Sequence, residues 1–271
     1  NMSIKKIITG LILSLLLSNG VASAADYNSA YSTFQSGNYE AAFQEMLPFA
    51  EQGNVDAQYY IARMYDEGRG ALENDKAAVK WYSLAAEQGD RWAQYSLGRK
   101  YDFGEGAPEN DKTAVKWYTL AAEQGYAGAQ YSLGVMYDNG YGVPVNDKTA
   151  IKWYTLAAEQ GNANAQYNVG VMYDFGRGVP ENDKTAVKWY TLAAEQGNAN
   201  AQGNMGYMYD IGKGVLTDTK RAYMWYNLAG YNGSELAGKN KDKIAKKMTL
   251  ADISKAQDMS SRCLESNYTD C

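Results

Sequence analysis

The chain has 271 residues, a net charge of −5 and no histidine; 45% of it is hydrophobic, with 24 tyrosines, 27 glycines and only two cysteines. The missing histidine excludes Ser-His-Asp and Cys-His nucleophile systems and the common histidine-bearing zinc sites. The acidic balance disfavours nucleic acid and anionic membrane as partners of the whole chain.

The N-terminus reads as an export signal. Lys5 and Lys6 precede an apolar run from Ile7 to Leu17, and Ala22-Ser23-Ala24 supplies a small-residue cleavage site. Residues 1–24 are therefore expected to be removed, with cleavage after Ala24. The apolar run is short for a bilayer span, which weakens the rival reading of an uncleaved anchor. Loss of Lys5 and Lys6 shifts the charge from −5 to −7. A periplasmic or secreted location follows, with no stable membrane insertion after cleavage.

From residue 54 the chain repeats itself every 36 residues. Ala-Gln recurs at Ala57, Ala93, Ala129, Ala165 and Ala201; Tyr-Asp-x-Gly-x-Gly from Tyr65, Tyr101, Tyr137, Tyr173 and Tyr209; Trp-Tyr at Trp81, Trp117, Trp153, Trp189 and Trp225. A fixed period of this length marks a solenoid whose units bury their apolar faces only against neighbours. The expected units are 54–89, 90–125, 126–161, 162–197 and 198–233.

Within the third unit, Ala129, Leu133, Met136 and Tyr137 fall on one helix face. Gly134 lies inside that helix at a cost of about 1 kcal/mol relative to Ala, which implies a neighbour too close for a larger side chain. Gly140 and Gly142 end the helix, reinforced by Pro144. Asp147 is the expected N-cap of a second helix, packed through Ile151, Trp153, Tyr154, Ala157 and Ala158, with Trp153 filling the larger gap.

After the repeats, a lysine-rich stretch from Lys239 to Lys247 reads as a solvated linker or helix face. Thr249-Leu250-Ala251-Asp252 reads as a capping box opening a last helix with Ile253, Ala256, Met259 and Cys263 inward. Cys263 and Cys271 are an even pair in an exported chain and are expected to form a disulfide worth about 2–3 kcal/mol.

The ordered succession of the Ala-Gln-Tyr-x-Leu-Gly-x-x-Tyr helix, the Gly-x-Gly loop and the Trp-Tyr-x-x-Ala-Ala helix resembles the Sel1-like repeat family, relatives of the tetratricopeptide repeats. The resemblance covers five full units, 54–233. It implies an all-α, right-handed superhelical α-solenoid of helix pairs. Residues 25–53, with Tyr31, Gly37-Asn38-Tyr39 and Ala41-Ala42, resemble a tetratricopeptide-style pair capping the N-terminal end. Residues 234–271 are expected to form the basic linker and C-terminal cap.

Comparison of the units within the chain separates scaffold from surface. Four places on each first helix vary: Asp56, Tyr60, Arg63 and Glu67 in the first unit; Trp92, Ser96, Arg99 and Phe103 in the second; Gly128, Ser132, Val135 and Asn139 in the third; Asn164, Asn168, Val171 and Phe175 in the fourth; Asn200, Asn204, Tyr207 and Ile211 in the fifth. Steps of 4, 3 and 4 form one helical stripe, which the resemblance turns toward the concave surface. Beside it run a tyrosine ladder (Tyr59, Tyr95, Tyr131, Tyr167, broken at Gly203) and an aspartate ladder (Asp66, Asp102, Asp138, Asp174, Asp210). The aspartates precede Gly-x-Gly turns and are read as turn-capping groups.

The expected partner-binding residues are Tyr60, Arg63, Trp92, Arg99, Phe103, Tyr131, Asn168, Phe175 and Tyr207, since Trp, Tyr and Arg dominate binding hot spots. Against this, Phe103, Phe175 and Ile211 are equally read as packing on the next unit. The run Gly178 to Thr185 is no phosphate loop, because Asp183 stands where the glycine before lysine is needed. Asp138 to Asp147 lacks the ligand order of an EF-hand. The expected function is a non-enzymatic exported adaptor that binds a protein or extended peptide, without cofactor or metal. The alternative is a peptidoglycan-fragment or β-lactam-binding protein. The cysteine-rich Sel1-like proteins that suggest it carry a cysteine pair in most repeats, whereas this chain has one pair after the last and no Ser-x-x-Lys in its mature region.

Overall fold

The computed structural model of the chain describes residues 24–271, so the export signal lies outside the described residues, apart from Ala24. Among these residues the structure is all-α, with no strand. An N-terminal pair, α1 (Ala24–Gln35) and α2 (Tyr39–Glu51), precedes the repeats. Five pairs follow: α3 (Val55–Glu67) with α4 (Asp75–Glu87), α5 (Arg91–Phe103) with α6 (Asp111–Glu123), α7 (Ala127–Asn139) with α8 (Asp147–Glu159), α9 (Ala163–Asp174) with α10 (Asp183–Ala194), and α11 (Ala199–Ile211) with α12 (Thr219–Tyr231). The last helices are α13 (Glu235–Ala245) and α14 (Leu250–Glu265). The chain divides into two compact units, one ending at Pro108 and the other running from Glu109 to Cys271.

Most of the helices begin on a side chain that satisfies an orphan backbone donor, whereas α7, preceded by Tyr126, has no such bond. Asn162 accepts from the Ala165 amide at the start of α9, and Asn146 accepts from the Thr149 amide at the start of α8. The α8 cap is therefore Asn146, not Asp147. Asparagine sits one residue earlier with extended backbone, which frees the Asp147 carboxylate for another task. Thr249 caps α14 by accepting from the Asp252 amide. The lysine-rich stretch is helical, as α13.

The core is built from small residues and, in every repeat, a buried tyrosine of the second helix (Tyr82, Tyr118, Tyr154, Tyr190, Tyr226). Ala129, Leu133 and Met136 are buried, as are Ala157 and Ala158, while Tyr137 is only half-buried. Trp153 is also half-buried, and the ring that fills the gap belongs to Tyr154. A Cβ on Gly134 would lie 2.5 Å from Tyr154, and one on Gly170 the same distance from Tyr190. The helix glycines thus make room for the following helix's tyrosine.

A buried glutamine finishes each helix junction. Gln130 Nε2 donates to the Ala122 carbonyl at 3.1 Å, and its Oε1 accepts from Gln160 at 2.7 Å. The same pair of bonds recurs at Gln166 with Ala158 and Gln196. At the last junction Asn232 replaces glutamine, donating to Gln202 at 2.8 Å, and the Tyr268 hydroxyl closes the series on Asn232. Tyr268 is carried there by a tail that the Cys263–Cys271 disulfide ties to α14, with Cα atoms 4.7 Å apart.

Three aspartates of the ladder have a role other than the expected turn capping. Asp66, Asp138 and Asp174 each accept from the hydroxyl of the tyrosine sixteen residues on, Tyr82, Tyr154 and Tyr190. Each also pairs with a cation from the next repeat. Arg177 bridges Asp138 and Asp147. Lys213 bridges Asp174 at 2.6 Å and Asp183 at 3.3 Å. Lys100 pairs with Asp66, with Asp75 at 2.8 Å and with Glu105 at 3.0 Å.

Candidate binding face

The stripe of unlike residues lies on the first helix of each pair, held in place by the invariant glutamines, alanines and tyrosines behind it. In the first compact unit it is aromatic and cationic. Tyr60 is half-buried, its ring 5.2 Å from Tyr31 and 4.9 Å from Phe34. Burial, and then the hydrogen bond with Tyr31, raise its pKa above the usual tyrosine value. Arg63 bonds to Glu67 at 2.8 Å and lies over Phe34 and Tyr59, 5.9 Å from each ring centre. These two residues are thereby committed to holding α1 against α3.

Farther along the same unit the side chains are open. Trp92 is 43% exposed, 6.3 Å from the Tyr59 ring and 4.7 Å from the Arg91 guanidinium. Phe103 is 60% exposed, with the exposed Arg99 guanidinium 5.7 Å from its ring centre.

In the second compact unit Tyr131 and Asn168 belong to the scaffold. The Tyr131 ring packs 5.9 Å from Tyr154, and Asn168 faces the Tyr154 hydroxyl. Burial and the nearby Asp138 charge hold that hydroxyl well above the usual tyrosine pKa. Phe175 is 67% exposed and Tyr207 is 48% exposed. Both line a cavity of about 420 Å³ with Tyr167, Val171, Asp174 and Lys213. The Lys213 ammonium lies 5.9 Å from the Phe175 ring centre. Its hydrogen bond to Asp174 leads the effects that raise its pKa, so it is a fixed positive charge there.

Of the nine expected contact residues, Trp92, Arg99, Phe103, Phe175 and Tyr207 are open, and the other four serve the scaffold. Phe103, Phe175 and Ile211 are all at least half exposed. Lys213 was not among the expected residues. Its place in the repeat holds Arg69, Glu105, Tyr141 and Arg177 in the other units. That variability between loops is the sequence signal for it.

Among the described residues no group of His, Cys, Asp and Glu could hold a metal, and no helix is long and apolar enough to cross a membrane.

The Sel1 repeat family matches residues 55–90, 93–126, 127–162, 163–198 and 199–234. A Sel1 repeat protein from Oxalobacter formigenes is 36% identical, covering 82% of this chain and 88% of its own, with a TM-score of 0.76. A protective antigen of uropathogenic Escherichia coli displaying the same repeat fold is 28% identical, covering 89% of this chain and 62% of its own, with a TM-score of 0.61. No curated protein shows significant similarity to the chain. The chain belongs to the Sel1 repeat family, whose members are typically scaffolds for protein interaction.

Proposed function

We propose that this chain is an exported, non-enzymatic scaffold that binds a protein or an extended peptide through the variable stripe of its first helices. One observation carries the reading. On a scaffold whose core positions recur every 36 residues, the unlike positions of the first helices expose Trp92, Phe103, Phe175 and Tyr207 to solvent. Exposed aromatics beside Arg99 and Lys213 supply the residue types that dominate binding energy, and the cationic side chains suit an acidic or carboxylate-bearing segment.

Export is supported by the N-terminal Lys-Lys, apolar and Ala-Ser-Ala sequence and by the Cys263–Cys271 disulfide, a bond that persists in oxidising compartments. The description of the Escherichia coli relative as a protective antigen accords with display to a host.

The test is selection of peptides from a displayed library on the chain starting at Ala25. Selected peptides are expected to bind the parent and to weaken at least about tenfold, or about 1.4 kcal/mol, on Trp92→Ala/Arg99→Ala or on Tyr207→Ala. Peptides that bind parent and both variants equally would remove the stripe as the site. Saturable binding of muropeptide or penicillin, with no peptide selected, would move the function to the cell wall.

A further inference from the structure

The tyrosine ladder has a gap, and the gap is a cavity. In three repeats a tyrosine on the first helix sets its ring beside the buried tyrosine of the second helix. The ring centres are 6.1 Å apart for Tyr59 and Tyr82, 5.9 Å for Tyr131 and Tyr154, and 6.0 Å for Tyr167 and Tyr190. These separations fall within the preferred range for aromatic pairs. In the fifth repeat the buried ring is present as Tyr226, but its companion is Gly203. A Cβ on Gly203 would meet nothing within 4 Å.

The space left open is a cavity of about 330 Å³ whose walls include Tyr167, Gly203, Asn204, Tyr207, Tyr226 and Asn240. That volume is at the low end of the range for small-molecule sites, about 300–1,000 Å³. The polar groups that the other repeats use up are free here. The hydroxyls of Tyr82, Tyr154 and Tyr190 donate to Asp66, Asp138 and Asp174. The Tyr226 hydroxyl makes no such bond to Asp210, which acts on it only as a nearby charge, and the side chain of Asn240, which occupies the place of Ser96 and Asn168, has no hydrogen-bond partner among the described residues. Leu236 of α13, 67% exposed, flanks the opening.

We propose that the cavity at Gly203 is a binding pocket for an aromatic side chain of a partner protein, a tyrosine above all, whose ring takes the place that Tyr59, Tyr131 and Tyr167 fill in their own repeats. The occupant's chemistry is specified by the chain itself, because the same backbone frame holds a phenol ring at this place in the other repeats. A ring entering from outside stacks beside Tyr226 between Tyr167 and Tyr207, and its hydroxyl meets the unused Asn240 amide and Tyr226 hydroxyl. The inference rests on the reading that this face binds a partner, and it narrows that partner to one presenting an exposed aromatic residue.

The test uses N-acetyl-L-tyrosinamide as the probe, titrated into the chain from Ala25 and followed by nuclear magnetic resonance. Saturable shifts are expected at Tyr167, Tyr207, Tyr226 and Leu236, with N-acetyl-L-leucinamide binding about tenfold more weakly. Gly203→Tyr supplies the missing ring from within and is expected to abolish these shifts while keeping parental helicity. Should that variant misfold, Tyr207→Ala, at an exposed position, is expected to weaken the probe several-fold. No saturable shift, equal shifts in parent and Gly203→Tyr, or equal affinity for the leucine probe would each overturn the pocket. If library peptides still bind parent and Gly203→Tyr alike, the pocket alone falls and the binding face stands.

Discussion

Two joints in this molecule solve one problem with different residues. In the first compact unit, Lys100 on helix α5 gathers Asp66, Asp75 and Glu105. In the second, Lys213 in the loop after α11 gathers Asp174, Asp183 and Glu181. The two lysines are not at equivalent places. Lys100 stands where the other repeats have Met64, Met136, Met172 and Met208, and the place of Lys213 is taken in the second repeat by Glu105. Where the loop residue turns acidic, the cation moves one helical turn back and the carboxylates keep their counter-charge. At the N-terminal joint, Tyr39 stands where Asp75 would be, and Arg69 lies 5.4 Å over its ring instead. The comparison teaches that one cation facing two or three carboxylates recurs at the joints of Lys100, Arg177 and Lys213, carried by whichever side chain can reach, while the third repeat, with Met136 and Tyr141 at the two places, has a cation at neither.

The comparison breaks most completely at high pH, because both joints also contain a tyrosine hydroxyl bound to the ladder aspartate. Burial first, then the Asp66, Asp138 or Asp174 charge, raise Tyr82, Tyr154 and Tyr190 above the usual 10.0. Lys100 is also raised: burial alone lowers it, but hydrogen bonds to Asp66, Asp75 and Glu105 outweigh that. Every one of these groups binds its proton more tightly folded than unfolded. Their stabilisation is therefore complete below the unfolded pKa and is lost as pH rises toward the folded value. Each tyrosine forfeits about 1.4 kcal/mol per pH unit above its unfolded pKa. Urea midpoints are expected to hold up to about pH 9.5 and then fall steeply. A flat profile to about pH 11 would show that the hydroxyl–aspartate bonds are not part of the stabilising joint.

Next in size is the loss of close approach. Gly106 lies against the Asp75 backbone, Gly178 against Asp147 and Gly214 against Asp183, so that each loop glycine presses on an aspartate of its own joint. Gly178 has φ +69°, and its Cβ would lie 2.5 Å from the Asp147 carbonyl oxygen. Gly178→Ala combines left-handed strain with overpacking against backbone that cannot rotate away, a loss of about 3–4 kcal/mol in denaturant unfolding. A loss under about 1 kcal/mol would mean that the loops can lift without breaking the ion pairs.

The charge itself comes third. Lys100→Met restores the residue of the other repeats but leaves Asp66, Asp75 and Glu105 facing one another. Breaking a buried pair costs about 3–5 kcal/mol, reduced here to about 2–3 because the carboxylates keep some solvent. Lys100→Met/Glu105→Lys rebuilds the arrangement of the fifth repeat and is expected to recover most of that loss. Failure of the second change to rescue the first would show that the joint depends on Lys100 as a residue and not on the charge.

How far the sequence shows these things depends on whether a signal lies within one repeat or between two. The helices, loop glycines and small-residue core recur every 36 residues and were readable directly. The helix glycine marks a point of close approach in the sequence as in the structure, but the ring above it is Tyr154 and not the expected Trp153. Adjacent aromatics on a helix point about 100° apart, and the pattern alone does not say which faces in. The role of Asp66, Asp138 and Asp174 is hidden in the sequence because their partners lie sixteen residues on and in the following repeat. Asp147 likewise looked like a cap because Asn146, one residue earlier, competes for the same role. Among the expected contact residues, the exposed Trp92, Arg99, Phe103, Phe175 and Tyr207 are legible as interruptions of a polar stripe. The commitment of Tyr60 and Arg63 to α1 is not, since it depends on a helix pair outside the repeat pattern.

The smallest effect has the opposite sign and separates a joint glycine from one that makes no joint. Gly203 lies inside α11 with open space where its side chain would be, unlike Gly134, Gly170 and Gly206, each overhung by a tyrosine. Gly203→Ala adds a methyl that touches nothing and removes the backbone freedom that glycine forfeits on folding, so it is expected to stabilise the chain by about 0.5–1 kcal/mol. Gly170→Ala gains the same helix propensity but sets its Cβ 2.5 Å from Tyr190, and the overpacking of about 1–3 kcal/mol outweighs the gain. In the first repeat Ala62 is fully buried in the place of those glycines, and the Tyr82 ring is tilted 47° to Tyr59, compared with 40° for Tyr154 to Tyr131 and 35° for Tyr190 to Tyr167. Opposite signs for the two substitutions, measured by urea unfolding, are the expected result. Equal stabilisation by both would show that the tyrosine rings move aside freely and that the helix glycines are not required by the packing.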